Sequence, residues 1–384
     1  MRDRIRAILT AAVSLSLALT LLGVVPGAAA ATLKVVIIVG PTGSLTDNYR
    51  ATGDSIAATA QSAGADVVKV YSPNATWANV RAAVNGANII VYLGHGNGYP
   101  NPYTSGAEPT DRDNGWGLNR TTTNGDGDNW SSTMVYCGEQ ALLGTLTSAS
   151  SAQWNYCGGK TNTDGIHPAA GFVMIYNKAC YAPGASEPGQ TPATEAVAVQ
   201  RVRNYSYPAL VLGASAYFAT DMYHGAQSLV ELIALNPGMS FGDVARSASG
   251  YDAAASKKFG HPDVPGAELW VQKSDGHAGS DYWYAYAGNP ARTVGDVGSA
   301  TAPDITTYDP PAKLYFAGGN HVGYKFSDSG AVLGSKSYTL AHASSASTGS
   351  RRNFPGQPGY WFYVVNGVWA GYWVPESTQI ALAA

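Results

Sequence analysis

The sequence predicts an α/β protein: a doubly wound, mostly parallel sheet with flanking helices, followed by a small all-β barrel. Three observations carry that prediction. Two apolar runs, Ile89-Ile90-Val91-Tyr92-Leu93 and Phe172-Val173-Met174-Ile175-Tyr176, have the length and composition of strands buried on both faces. Strand-like and helix-like segments alternate over the first part of the chain, the rhythm of parallel sheets. Near the C-terminus, two aromatic-rich runs flank Asn366-Gly367, the dipeptide of a tight hairpin.

The chain has 384 residues, and residues 1–30 read as a signal peptide. Arg2, Arg4 and Arg6 make a basic start, Ala7 to Val25 is apolar, and Pro26-Gly27-Ala28-Ala29-Ala30 offers small-residue cleavage sites. The alternative is a membrane anchor. Ser, Thr and Gly interruptions and the small-residue run favour cleavage, so the mature chain is expected to be secreted and extracellular. Three Arg and one Asp leave with the leader, which takes the formal net charge from −3 to about −5. That mildly acidic balance argues against nucleic acid as a partner, and no later run is long enough to span a membrane. With 45 Gly, 24 Tyr and 9 Trp, the chain reads as globular and rich in loops.

Each element follows from local signals. Leu33 to Val39 is a strand; Leu45-Thr46-Asp47 opens a helix that runs to about Ala63, where Gly64 stops it. Asp66 to Tyr71 is a second strand, Asn74 to Val84 a second helix and Ala87 to Leu93 the third strand. Residues 97–168 break the rhythm with Gly, Asn, Asp, Thr, Trp and Tyr, an insertion too long for an idle connection. It is expected to fold over the active face. After the strand at Phe172, helix signals return at Thr194 to Val202, a strand is expected at Ala209 to Gly213, and helices at Tyr223 to Leu235 and Phe241 to Ser247. Ala267 to Gln272 reads as a further strand. Prolines 303, 310 and 311 mark a linker at 301–311 between a domain at 31–300 and a small β domain at 312–376.

Two strand ends carry chemistry. Leu93-Gly94-His95-Gly96-Asn97-Gly98 places a histidine just past one buried strand, and Asn177-Lys178-Ala179-Cys180 places a cysteine past another. Adjacent strands lie only ~4.8 Å apart, so a thiol and an imidazole leaving neighbouring strands can meet above the sheet edge. The order of the two motifs, each after an apolar strand, resembles the caspase-like cysteine peptidases: caspases, legumains, gingipains, clostripain and separases. The resemblance covers roughly Leu33 to Gln272. It implies a caspase-like fold with Cys180 as nucleophile, His95 as general acid and base, and an oxyanion hole from the backbone N–H groups of Gly96 and Cys180. One departure is the spacing of 85 residues between His95 and Cys180, against ~50 in caspases, which the insertion accounts for.

In that family the residue two before the cysteine helps line the pocket for the side chain preceding the cut. Lys178 holds this place and would favour an acidic or polar side chain; Asp221, after the next strand, would instead create a basic-selective pocket. The reading leans toward Lys178. Cys137 and Cys157 share one polar segment and are expected to pair in an oxidising compartment, although any two of the three thiols could bond. Oxygen donors alternate in Asp111-Arg112-Asp113-Asn114-Gly115 and Asn124-Gly125-Asp126-Gly127-Asp128-Asn129, a pattern calcium uses; turn chemistry is the preferred account, and no metal or other cofactor is expected.

The function expected is therefore a secreted cysteine endopeptidase acting on polypeptides. The C-terminal segment resembles SH3-like modules of exported bacterial hydrolases, which implies a cell-wall or surface polymer as a possible partner. The alternatives are a non-catalytic surface or cell-wall binding protein on the same scaffold, and an enzyme for other amides such as peptidoglycan cross-bridges.

Overall fold

The structure is a computed structural model that describes residues 32–146, 151–159, 165–273, 281–297, 305–326, 332–352, 361–377 and 379–382. The expected signal peptide lies outside the described residues. No helix among those described is long and apolar enough to cross a membrane.

The first strands and helices follow the expected order: β1 (Lys34–Val39), α1 (Thr46–Ser62), β2 (Asp66–Tyr71), α2 (Trp77–Val84) and β3 (Ile89–Leu93). An insertion carries β4 (Trp116–Asn119), β5 (Met134–Cys137), α3 (Glu139–Leu143) and α4 (Ser151–Tyr156). The chain then returns through β6 (Val173–Asn177), α5 (Glu195–Val211), β7 (Ala216–Thr220), α6 (Gly225–Leu235) and α7 (Phe241–Ser247). Three further strands, β8 (Ser256–Gly260), β9 (Glu268–Lys273) and β10 (Tyr282–Gly288), complete the sheet.

Among the described residues, eight strands form one sheet in the order β2-β1-β3-β6-β7-β10-β9-β8. The five from β2 to β7 are parallel, and the last three join antiparallel. The order reverses between β1 and β3, the switch point beside which doubly wound sheets place their ligands, outside the carboxyl ends of the strands. Alternate residues feed two cores. Ile89, Val91, Leu93, Val173 and Ile175 pack with α1, α6 and α7, while Ile90, Tyr92, Met174 and Tyr176 face α2, α5 and the insertion. A strand buried on both faces has no polar side to display, which explains the unbroken apolar runs.

One element departs from expectation. Ala209 to Gly213 was predicted as a strand, but α5 continues through Pro208 to Val211, and the strand follows at β7. Its residues Val202, Tyr205, Ala209 and Leu210 all face inward, so a helical stripe of apolar side chains imitated a buried strand. Pro208, a residue that usually ends helices, sits in the last turns and costs only one intrahelical hydrogen bond.

The C-terminal residues form β11 (Ile305–Phe316), β12 (Gly319–Phe326), β13 (Val332–Leu340), β14 (Ser344–Arg352), β15 (Trp361–Val364), β16 (Trp373–Pro375) and β17 (Ile380–Leu382). Together they make a seven-stranded antiparallel sheet among the described residues. Among the described residues its strands lie in the order β13-β12-β16-β15-β14-β11-β17, with every neighbouring pair antiparallel. β11 starts inside the expected linker, and Pro310 and Pro311 fall at its register shift, where no ladder donor is needed.

The hairpin forms, but its turn is not the two-residue Asn366-Gly367 turn. Trp361 pairs with Pro375 and Tyr363 with Trp373, so the connection runs from Val365 to Tyr372. Val365 N–H donates to the Ser347 carbonyl at 2.8 Å, and Ser347 N–H donates to the Asn366 side chain at 2.7 Å. These bonds draw the turn toward β14 and let Trp369 fold inward onto Phe316, the two rings stacked nearly parallel with centroids 4.8 Å apart.

Candidate active site at the carboxyl ends of β3 and β6

β3 and β6 are neighbours in parallel register, with Tyr92 opposite Tyr176 and Leu93 opposite Asn177. His95 leaves two residues beyond Leu93 and Cys180 three beyond Asn177, so both exit at the same sheet edge. Their backbones touch: a Cβ placed on Gly96 would lie 1.9 Å from the Cys180 carbonyl oxygen. Only glycine permits that approach. Lys178 and Tyr181, on either side of Ala179-Cys180, adopt left-handed φ values of 60° and 66°. Non-glycine residues held this way carry strain of roughly 1–3 kcal/mol each, a cost met by the packing around the site.

Tyr92 holds the histidine turn. Its buried phenol donates toward the His95 carbonyl at 2.8 Å and accepts from the Gly117 N–H at 2.8 Å, tying β3 to β4 of the insertion. Asn177 does the same on the cysteine side. Fully buried, it accepts from the Ala226 N–H at 3.2 Å and so fixes the start of α6 beneath the cysteine turn. Neither role is visible in sequence, because both residues read as ordinary members of a buried run.

The imidazole is partly exposed, and its Nε2 lies 3.4 Å from Asp128 Oδ2 in the insertion. Among the described residues no hydrogen bond joins His95 to Cys180. The thiol packs against the core on the α5 side yet keeps partial exposure. Burial pushes its pKa up to about 12, the Glu187 and Asp221 carboxylates push the same way, and Lys178 opposes them. The resting sulfur is therefore a protonated thiol at neutral pH. Reactivity requires a proton acceptor at the moment of attack.

The two rival specificity residues pair with one another. Lys178 Nζ lies 2.8 Å from Asp221 Oδ1 and donates to the Asp221 carbonyl at 2.9 Å. The ammonium also sits 4.8 Å from the centre of the Tyr223 ring. Each charge neutralises the other, so the wall beside the sulfur is an ion pair and not a lone cation or a lone carboxylate. Tyr49 adds its hydroxyl 3.4 Å from the Lys178 carbonyl. On the other side Glu187 accepts from the Tyr103 hydroxyl at 2.8 Å. Tyr49, Asp128 and Glu187 are the site neighbours the sequence reading missed or used otherwise; Asp128 alone carried a signal, within the suspected calcium loop.

Cys137 and Cys157 are disulfide-bonded, and Cys180 is free. The bridge fastens α4 to the β4–β5 hairpin within the insertion. Three of the four carboxylates in the two oxygen-rich loops have protein partners. Asp126 binds Arg50 and Ser72, Asp128 faces His95, and Asp113 accepts from Asn97. Among the described residues no group of three or more His, Cys, Asp or Glu is placed to hold a metal ion.

No family model matches the chain. No curated protein matches it either. Among solved structures, the chain is similar to the crystal structure of the Arg-specific cysteine proteinase gingipain R, with 15% identity, 89% of this chain and 66% of that one covered, and a TM-score of 0.33. The complex of the RgpB pro- and mature domains from Porphyromonas gingivalis gives 14% identity, coverage of 89% and 67%, and a TM-score of 0.31. The antimicrobial peptidase lysostaphin from Staphylococcus simulans gives 9% identity over 35% of this chain and 75% of that one, at a TM-score of 0.14. The chain spans just under two thirds of the length of gingipain R. At these identities and TM-scores the likeness assigns no family.

Proposed function

We propose that the protein is a secreted cysteine endopeptidase of caspase-like fold, with Cys180 as nucleophile and His95 as general acid and base. The observation that carries this reading is the contact between Gly96 and the Cys180 backbone at the ends of two adjacent parallel strands. In the first step His95 takes the thiol proton as sulfur bonds to the scissile carbonyl carbon. The oxygen becomes an oxyanion, held by the N–H groups of Gly96 and Cys180. The carbon–nitrogen bond then breaks, His95 returns the proton to the departing amine, and water hydrolyses the thioester. The Lys178–Asp221 pair forms a polar, internally neutral wall for the substrate. The C-terminal sheet serves attachment to a surface polymer.

Cys180→Ala and His95→Ala are each expected to lower peptide hydrolysis by roughly a thousandfold or more while leaving the melting temperature near that of the parent. A parental rate in either variant removes that residue from the mechanism. The protonated thiol and the unmade imidazole–thiol bond favour a second reading, a binding protein on the same scaffold. Peptidyl electrophiles separate the two. An enzyme is labelled at Cys180 in a His95-dependent manner and far faster than by iodoacetamide; a binding protein reacts slowly with both.

A further inference from the structure

We propose that Asp128 is a positioning residue for His95, delivered to the site by the insertion. The inference rests on the dyad reading above. It starts from the contact between His95 Nε2 and Asp128 Oδ2 at 3.4 Å. A carboxylate at Nε2 selects the tautomer that carries its proton there, which leaves the lone pair on Nδ1 to receive the thiol proton. The same carboxylate stabilises the imidazolium formed when that proton arrives. Such help matters here, because the sulfur sits among Glu187 and Asp221 and surrenders its proton reluctantly.

The placement of Asp128 is built, not incidental. The preceding residues are fastened to the ends of β1 and β2. Arg50 pairs with Asp126, Ser72 Oγ donates to Asp126 Oδ1 at 2.8 Å, and Gly43 N–H donates to the Asp126 carbonyl at 3.1 Å. Asn119 Nδ2 donates to the Gly125 carbonyl at 2.8 Å from β4. Gly43 has a left-handed φ of 58°, and a Cβ there would lie 2.8 Å from Asp128 Oδ2. The glycine thus leaves the space the carboxylate occupies. A contact this exposed adds little to stability, so its loss is expected to register in the chemistry and not in the fold.

The test combines ring-nitrogen NMR of His95 with steady-state kinetics on the full chain. Asp128→Ala is expected to mix the two imidazole tautomers and to lower kcat roughly tenfold or more with KM nearly unchanged. Asp128→Asn, which keeps an oxygen acceptor for Nε2–H, is expected to restore the tautomer and part of kcat. A parental tautomer ratio and parental kcat in Asp128→Ala overturn the inference. Parental hydrolysis by His95→Ala overturns instead the dyad reading beneath it, and the two failures are read from different variants.

Discussion

Gly96 concentrates the physical demands of the site in one residue. Its N–H is proposed to face the oxyanion, and its missing side chain lets two strand-end turns touch. Gly96→Ala inserts a methyl group where the Cys180 carbonyl already sits, so the turns must part. The expected result is a loss of about a hundredfold or more in hydrolysis, with a stability cost of ~1–3 kcal/mol from the displaced backbone. A thermal melt and a rate assay measure both, and near-parental values would show that the turns yield without cost. Lys178 and Tyr181 pose the same kind of constraint from the cysteine side. Their left-handed φ values shape the turn that carries Cys180 past the end of β6.

At the scale of elements, the insertion couples to the histidine turn through a buried acidic cluster. Asn97, two residues past His95, donates to Asp113 Oδ1 at 2.7 Å, while Asp113 Oδ2 is buried without a hydrogen-bond partner among the described residues. Burial pushes Asp113 and Glu139 each up to about 7, and Glu108 upward as well. Asp111, Glu108 and Asp263 add negative charge around them, and Arg112 and Arg203 only partly offset it. The folded protein therefore holds protons that the unfolded chain, with ordinary carboxyls near ~4, has already released. The stabilising contribution of these two carboxyls is fully present below pH ~4, is lost as pH rises from ~4 to about 7, and is absent above that. Asp113→Asn keeps the acceptor for Asn97 and removes the ionisation. It is expected to stabilise the protein by ~1–3 kcal/mol at pH 8 and to change little at pH 4. Melting temperatures of both proteins across that range check it; parallel curves would count against the account.

For the whole molecule, the two sheets share no strand and bury separate cores. The larger sheet positions His95 and Cys180, and the C-terminal sheet builds its own interior around Trp369, Phe316, Phe362 and Val374. Trp369→Ala is expected to cost ~3–5 kcal/mol within that smaller core. Calorimetry should then show one of two transitions moving down while hydrolysis per folded molecule stays unchanged. A single shifted transition, or lost activity, would mean the sheets melt as one unit. The disulfide lies in neither of these sheets. It closes a 20-residue separation inside the insertion, worth about 3 kcal/mol by chain entropy, and so keeps Asp113, Tyr136 and the β4–β5 hairpin together near the site.

The sequence by itself determined the parallel sheet, the exit of His95 and Cys180 at strand ends and a candidate Cys137–Cys157 pair. Those rest on local properties: apolar periodicity, strand length and residue type survive in a linear reading. It misread α5 beyond Pro208, because a helix with a wide apolar stripe and a buried strand look alike over five residues. It misplaced the C-terminal turn, because Ser347 and Trp369 compete for it from elsewhere in the chain. Only the tertiary structure decided that Lys178 and Asp221 cancel one another, that Asp128 meets His95 and that burial pushes the cysteine pKa further up. Charges 33 and 43 residues apart in sequence interact by distance through space, and a linear order does not contain that distance.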